Sequence, residues 1–586
     1  TDKTGTLTTA EMTLQVVWEG GRRHSVTGVG YQPAGAVEDA GGAIDVLRAG
    51  LLCSNARLLR PDAARHLGWR VLGDTTEGAI LVAARKAGLD PRAESAARPR
   101  LAEFPFDPGR KLMTTVHAED GRTVAYVKGA PQEVLPRCRT VRWQGAERPV
   151  AADVLRQVEA ANDAMAGQAL RVLAVARRSL PDRLPSQTEA EGALELLGLV
   201  GMMDPPRPEV TAAVAACRRA GVRLIMVTGD YGLTAEAIAR KLGMVAGPRP
   251  RIVSARELDA VDDGGLRGLL GSGGEVIFAR VRPEDKLRVV TALRGLGEVV
   301  AVTGDGVNDA PALKRADIGV AMGRSGTDVA REAADMILLD DSFASIAAAI
   351  ELGRSVYQNI RMFLIYLFSH NLGELAPILA AAVVGFPLVP ITALQVLAID
   401  LGSDVLPALA LGAERPEPGI MDRRPRYSHE PLFSLGLVGR FLFLGTIQGA
   451  GVIFAFFWKI DTAGLPFSAF DPANPVYREA MTMTQAGIVV GQFFNGFAVR
   501  TDVESVFSVG LLSNWRLVVA EVMGVGIMAS ISYLPALQAL FHTAPLSAPD
   551  WLLLTVFGVL LLAAEEGRKL LLRARRRRTR EALRCT

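Results

Sequence analysis

Four short clusters in this 586-residue chain combine carboxylates, hydroxyls and cations: Asp2-Lys3-Thr4-Gly5-Thr6-Leu7-Thr8, Thr228-Gly229-Asp230, Thr303-Gly304-Asp305-Gly306-Val307-Asn308-Asp309, and the single Lys286. Asp305 and Asp309 beside Asp2 are the hard oxygen ligands that Mg²⁺ takes when it binds a phosphate. Thr228, Gly229, Lys286 and Asn308 offer hydroxyl, backbone N–H, ammonium and amide donors for phosphoryl oxygens. Any one cluster could be a tight turn held by Asp and Gly, but four of them in register describe one phosphoryl-handling site. Cation usage points the same way. The chain has 9 Lys against 56 Arg, yet Lys3, Lys111, Lys128, Lys286 and Lys314 all fall in or beside candidate motifs. A compact ammonium, not a planar fork, is required there.

Register comes from the elements that precede the clusters. Apolar runs at 222–228, 276–280, 298–303, 318–322 and 336–339 are short, rich in Val, Ile and Leu, and separated by helix-length segments. This pattern predicts an α/β domain at 196–345, a parallel sheet with helices on both faces, with residues 1–10 as its start. Ligands of such a sheet collect outside the carboxyl ends of its strands. Residues 11–195 alternate differently, with strands at 123–128 and 170–176, and predict an inserted α+β domain.

Beyond residue 345 the composition changes to six long apolar segments, at roughly 360–386, 389–411, 433–458, 481–499, 516–541 and 551–572. Each is near the ~20 residues that cross ~30 Å of hydrocarbon as a helix. An even number puts both ends on one side. The loop at 412–430 carries Arg415, Arg423, Arg424 and Arg426, and the tail carries Arg573 and Arg575 to Arg578, whereas 461–480 has only Arg478 and 542–550 has no Lys or Arg. By the positive-inside rule the large amino-terminal part and the tail are cytoplasmic; the Arg run reads either as a solvated tail or as a contact for anionic membrane lipid. Overall, 49% hydrophobic residues and a mean hydropathy of +0.23 exclude disordered and collagen-like classes. A net charge of +3 shows no basic excess for a nucleic-acid partner. Four scattered cysteines suggest neither a disulfide framework nor a zinc ribbon.

The motifs D-K-T-G-T-L-T, T-G-D and G-D-G-V-N-D-A-P, in that order, resemble those of the P-type cation-transporting ATPases, and the likeness runs over essentially the whole chain. The resemblance implies a haloacid-dehalogenase-like phosphorylation domain with an inserted nucleotide-binding domain, followed by membrane helices. It implies that Asp2 takes the γ-phosphoryl of ATP as an aspartyl phosphate, with Mg²⁺ held by Asp2, Asp305 and the backbone of Thr4. Lys3, Thr228, Gly229, Asp230, Lys286 and Asn308 complete the catalytic set. A soluble phosphatase of the same fold is the rival reading, but it would carry an acid at position 4 to activate water. Thr4 cannot do this, so an acyl phosphate there should persist.

For the nucleotide no Walker-type loop is present. An adenine wants an aromatic face, a cation and a hydrogen-bonding acid or amide, and Phe106, Lys111, Lys128 and Glu77 are of these types. The resemblance makes them the adenine contacts, with Arg171 reaching the phosphates. Val26-Thr27-Gly28-Val29-Gly30-Tyr31 is similar to the type II subgroup, which pumps light or hard cations.

Ionisable residues within apolar spans are functional candidates by default. The first span holds His370-Asn371-Leu372-Gly373-Glu374 and the second Asp400-Leu401-Gly402-Ser403-Asp404. Spacings of three and four place Asn371 with Glu374, and Asp400 with Asp404, on shared faces. Carboxylate, amide and hydroxyl oxygens of this kind form a dehydrating cage for a hard cation, and no Cys lies in a span to select a soft one. The resemblance makes Asn371, Glu374, Asp400, Ser403 and Asp404 ligands of the transported cation. Two residues depart from the sodium/potassium and proton/potassium pumps: Asn495 stands where those have an acid, and His370 where they have Ser or Lys. His370 reads either as a hydrogen-bonded packing residue or as a group coupling the cycle to pH. Relative to the family, the actuator domain, four leading helices and the strand before Asp2 do not precede Thr1. The expectation is therefore a pump portion that does not turn over alone, the alternatives being a truncated remnant or a membrane-anchored nucleotide-binding module.

Overall fold

A computed structural model describes residues 1–586 apart from 4, 62–67, 182, 428–429, 465–473 and 585–586; Thr4, a predicted site residue, thus lies outside the described residues. Two compact units emerge, Thr1–Ala347 and Ala348–Thr586.

The first unit contains a nine-stranded sheet. Its main path runs Arg22–Ser25, Thr13–Glu19, Leu194–Met203, Arg171–Leu180, Arg122–Gly129, Leu112–Glu119, Arg100–Asp107. The strand Leu194–Met203 is buried at every residue, as a sequence apolar but for Glu195 requires between two packed faces. The expected domain boundary at 195 falls within this strand, which the nine-stranded sheet holds from Leu194 to Met203. A run of ten residues with one charge, Glu195, looks like a strand of the following parallel domain, and only its antiparallel pairing with Thr13–Glu19 and Arg171–Leu180 assigns it.

The remaining strands form two parallel three-stranded sheets instead of the single sheet expected. One orders Met226–Thr228, Val276–Ala279, Arg251–Ser254; the other orders Ala301–Gly304, Ile318–Met322, Met336–Leu338. Thr1 touches both. Its amino group donates to the Ile225 carbonyl at 2.9 Å, its carbonyl accepts from Val227 N–H at 2.9 Å, and the Thr303 hydroxyl donates to its Oγ1 at 2.7 Å. The Asp2 loop consequently starts beside the carboxyl ends of strands from both sheets. Two chain segments tie this region to the large sheet: Thr9 N–H donates to Pro205 O, Arg207 N–H to Leu7 O, and Thr8 Oγ1 bonds the Asp204 carboxylate.

In the second unit we label the long helices α1 (Phe343–Val384), α2 (Ala393–Gly412), α3 (Leu435–Thr462), α4 (Pro475–Val499), α5 (Trp515–Tyr533) and α6 (Ala548–Arg584). Among the described residues, five of them, all but α4, are long and apolar enough to cross a membrane. α4 has the length but carries Thr482, Thr484, Gln485, Gln492 and Asn495, all buried, and packs against α3, α5 and α6. Close α1–α3 packing depends on glycine. A Cβ on Gly445 would lie 2.8 Å from the Leu372 side chain and 2.9 Å from Ser369 O, and one on Gly449 would lie 2.6 Å from Ala376 Cβ. At one end of the bundle, residues of four segments interlock. Arg500 grips Glu414 at 2.9 and 3.0 Å, Arg440 bonds Glu565 at 2.7 Å, and Glu566 accepts from Val506 N–H at 3.1 Å. The loop after α2, the loop after α4 and the middle of α6 therefore lie on the same side.

Candidate active site and cation site

Asp2 follows Thr1 directly and is held by its neighbours. Its Oδ1 accepts from Lys3 N–H at 2.6 Å, and its Oδ2 meets Lys286 Nζ at 2.5 Å. The same ammonium reaches Asp309 Oδ1 at 2.6 Å. Burial disfavours the charge on Lys286, but Asp2 and Asp309 outweigh it and raise its pKa. Asp309 also caps the loop before it, its Oδ2 accepting from the N–H groups of Asp305 and Gly306 at 3.3 and 3.2 Å. Gly304 permits this approach, since a Cβ there would lie 2.4 Å from Asp309 Cβ.

Asp305 faces the Asp2 loop from the other sheet. A Cβ on Gly5 would lie 2.1 Å from Asp305 Oδ2, and Gly5 has φ +74°, so both space and backbone require glycine there. Burial first, then the neighbouring Asp309 and Asp2, push the Asp305 carboxyl up to about 6. Lys3 is buried and pairs with Asp230. Thr228 is buried, and its hydroxyl accepts from Asp230 N–H at 3.2 Å. Gly229 and Asn308 are exposed beside this cluster, with open space around the Gly229 Cα, whereas Lys314 is exposed outside it. Three carboxylates facing one ammonium leave an excess of negative charge, a donor set that suits Mg²⁺. Lys286 and the loop engage both oxygens of Asp309, Lys3 N–H and Lys286 engage those of Asp2, and the Asp305 carboxylate faces Gly5 from across the cluster.

Of the predicted nucleotide residues, the structure pairs Glu77 with Lys128 at 2.8 Å, both buried. Glu77 lies in the helix Thr75–Lys86, whose N-cap Asp74 accepts from Thr76 and Glu77 N–H at 2.8 and 3.1 Å. Its second oxygen accepts from Asn55 and Ala56 N–H, and Lys128 also donates to Cys53 O. This pair is thus largely satisfied from within. Phe106, 61% exposed, and Lys111 stand at the turn joining strands Arg100–Asp107 and Leu112–Glu119. Arg171 is exposed, with its guanidinium 3.4 Å from Thr76 Oγ1. Phe106, Lys111 and Arg171 are the contacts open to a ligand.

In the helical unit, His370, Glu374 and Asp400 bring one ligand atom each to within 4.8 Å of one another. Asn371 is exposed, about 100° around the helix from His370 and about 60° from Glu374. Asp400 begins a π-helical turn, Asp400–Asp404, which interrupts α2 and re-aims its carboxylates. Pro377 in α1 supplies no N–H, so the Gly373 carbonyl beside Glu374 lacks its helical donor. Ser403 and Asp404 face α4: Ser403 Oγ lies 3.3 Å from Gln492 Oε1, and Gln492 Nε2 donates to Asp404 Oδ1 at 2.9 Å and Tyr366 Oη at 2.6 Å. Asn495 Nδ2 donates to Ser369 Oγ at 2.8 Å. Sequence reasoning passed over Glu521, fully enclosed in α5 against Gly496; the signal was available as a lone acid in an apolar span.

A carboxylate cluster beside parallel sheets, a nine-stranded sheet and apolar helices with buried acids are the features of a membrane-bound hydrolase. The haloacid dehalogenase-like hydrolase family matches residues 130–314 and 288–350. The family of the P-type ATPase cytoplasmic domain N matches 43–209, and that of the cation transporting ATPase C-terminus matches 388–571. These matched segments are those of P-type cation-transporting ATPases, and the five apolar helices among the described residues make the chain a multi-pass membrane protein. It is 38% identical over 564 residues to a calcium-transporting ATPase of Bacillus subtilis, covering 94% of this chain and 61% of that protein. It is 40% identical over 569 residues to a probable cation-transporting ATPase F of Mycobacterium tuberculosis, covering 94% of this chain and 60% of the relative. The chain thus spans about 61% of the length of the curated relatives it matches.

Proposed function

We propose that the chain forms the ATP-hydrolysing and cation-carrying part of a type II pump, driving a cation across a cell membrane through phosphorylation of Asp2. The observation that carries this reading is the cradle around Asp2: one oxygen oriented by Lys3 N–H, the other by Lys286, with Asp305 opposite and the donors Thr228, Gly229 and Asn308 nearby. Asp2 attacks the γ-phosphorus and the bond to the departing ADP oxygen breaks, so the phosphoryl group moves to the carboxylate. Asp2 and Asp305 would hold Mg²⁺, whose charge offsets that of the phosphoryl oxygens. Lys286 and Lys3 add fixed positive charge, and Asp309 keeps Lys286 and the 304–309 loop in place. Phe106 stacks the adenine, Lys111 and Arg171 reach toward the phosphates, and the Glu77–Lys128 pair holds the wall behind them.

In the membrane, α4 makes a sixth span enclosed by the other helices, which explains its polar composition. Glu374, Asp400, Ser403 and Asp404 line the cation path. The cytoplasmic side is the one bearing the interlocked loops after α2 and α4 and the Arg-rich tail, in line with the positive-inside rule. A phosphatase with this fold would need an acid at position 4, and the residue there is Thr. The test is acid-quenched labelling with γ-³²P-ATP. Label that is sensitive to hydroxylamine and lost in Asp2→Asn supports the reading; free phosphate release without such a label refutes it.

A further inference from the structure

His370 is fully buried, and neither of its ring nitrogens has a hydrogen-bond partner. Its Nε2 lies 3.2 Å from Glu374 Oε1, which is also unpartnered, and its ring stacks on Tyr366 with centroids 6.4 Å apart. A packing histidine would satisfy its nitrogens. This one leaves Nδ1 without a partner and sets Nε2 at ion-pair distance from Glu374, with one ligand atom each of His370, Glu374 and Asp400 within 4.8 Å of one another. Two donors each about 2.2 Å from a shared ion are at most about 4.4 Å apart, so a small side-chain adjustment closes the set.

We infer that His370 is a ligand of the transported cation and turns this site toward first-row divalent transition cations and away from Ca²⁺. The inference rests on the reading of this cluster as the cation site and adds the chemical class of its cargo. Ca²⁺ takes six to eight oxygens. Here His370 brings an imidazole nitrogen into the cluster, while Asn371, the expected amide ligand, is exposed. Imidazole with carboxylates suits Mn²⁺, Fe²⁺, Co²⁺ or Zn²⁺, and the two acids balance a divalent charge while His370 binds as a neutral ligand. The four cysteines lie at 53, 138, 217 and 585, outside the helical spans, so no thiolate shifts the site toward Cu⁺.

The test uses the full chain in lipid nanodiscs with Asp305→Asn, which weakens metal binding beside Asp2, and Mn²⁺ alone as the probe. Pulsed electron paramagnetic resonance should show ¹⁴N coupling to bound Mn²⁺, and Ca²⁺ should displace that Mn²⁺ only at tenfold or greater excess. His370→Ser should abolish the ¹⁴N signal and lower the Mn²⁺/Ca²⁺ preference at least tenfold, while Ca²⁺ still binds. Bound Mn²⁺ without ¹⁴N coupling in the unmutated site overturns the inference, whatever the behaviour of the variant. Glu374→Gln and Asp400→Asn test the underlying reading separately: if neither weakens either cation, the cluster is not the cation site. If both do but the preference is unchanged in His370→Ser, the site stands and the selectivity role of His370 falls.

Discussion

Replacing Lys286 with Met removes the cation shared by Asp2 and Asp309 while keeping most of the side-chain volume. The ammonium lies 2.5 and 2.6 Å from the two carboxylates, with the Lys286 and Asp309 side chains only 13% and 5% exposed. At an effective dielectric near 20 and about 3 Å between charge centres, each pair is worth about 5 kcal/mol before desolvation. Desolvation of Lys286 offsets part of that, and loss of one partner from such a buried pair costs about 3–5 kcal/mol, because the remaining carboxylates stay buried without a counter-charge. At about 2.1 cal/mol/K of unfolding entropy per residue, each kcal/mol moves the midpoint of the Thr1–Ala347 unit by about 1.4 °C, so its calorimetric transition should fall by roughly 4–7 °C. Adding Asp309→Asn should restore part of the loss: it removes one unpaired charge, and the amide oxygen can still accept from Asp305 and Gly306 N–H. A shift under about 2 °C for Lys286→Met, or additive losses in the double variant, would refute this electrostatic account.

The Asp305 carboxyl, pushed up to about 6, must lose its proton to bind a metal. Mg²⁺ affinity in this unit should therefore weaken steadily from pH 7.5 to pH 5 in calorimetric titrations, and a flat profile would count against Asp305 as a ligand. Phe106→Ala should weaken ATP binding by about 1 kcal/mol through lost stacking while leaving thermal stability unchanged, since the ring is 61% exposed; Lys128→Ala should instead lower stability, because it strands the buried Glu77. Burial holds the pKa of His117 below its usual value, so the unfolded chain binds the proton first. Its contribution to stability is present above about pH 6.5 and is lost as the pH falls below that, and His117→Phe should flatten this part of the stability profile. Gly449→Leu should disrupt α1–α3 packing and reduce the detergent-solubilised half-life, whereas Gly439→Leu, with open space around it, should not.

The fold was legible where local pattern and tertiary environment agree. The run Ile318–Met322 is a strand with the bounds read from its sequence, since a short apolar run between polar segments has few other uses. At 222–225 the same kind of run stays outside the strand, which begins at Met226, where pairing to Ile277 starts. The residues that gather around Asp2 were legible as candidates because most of them sit in short contiguous motifs. The cluster in the helical unit was less so: His370 falls one turn from Glu374, and only helix packing brings both near Asp400. The Gln492 bridge to Tyr366 and Asp404 joins three helices and leaves no trace in the spacing of any one of them.

The central claim is that Asp2 carries the phosphoryl group while a cation bound among Glu374 and Asp400 governs its transfer. Rapid acid quench of membranes containing the pump, incubated with γ-³²P-ATP, Mg²⁺ and a graded divalent cation, measures this directly. Cation-dependent, hydroxylamine-labile label on the peptide containing Asp2, absent in Asp2→Asn and uncoupled from the cation in Glu374→Gln, is the predicted result. Label that persists in Asp2→Asn, or that ignores the cation in the unmutated protein, would contradict it.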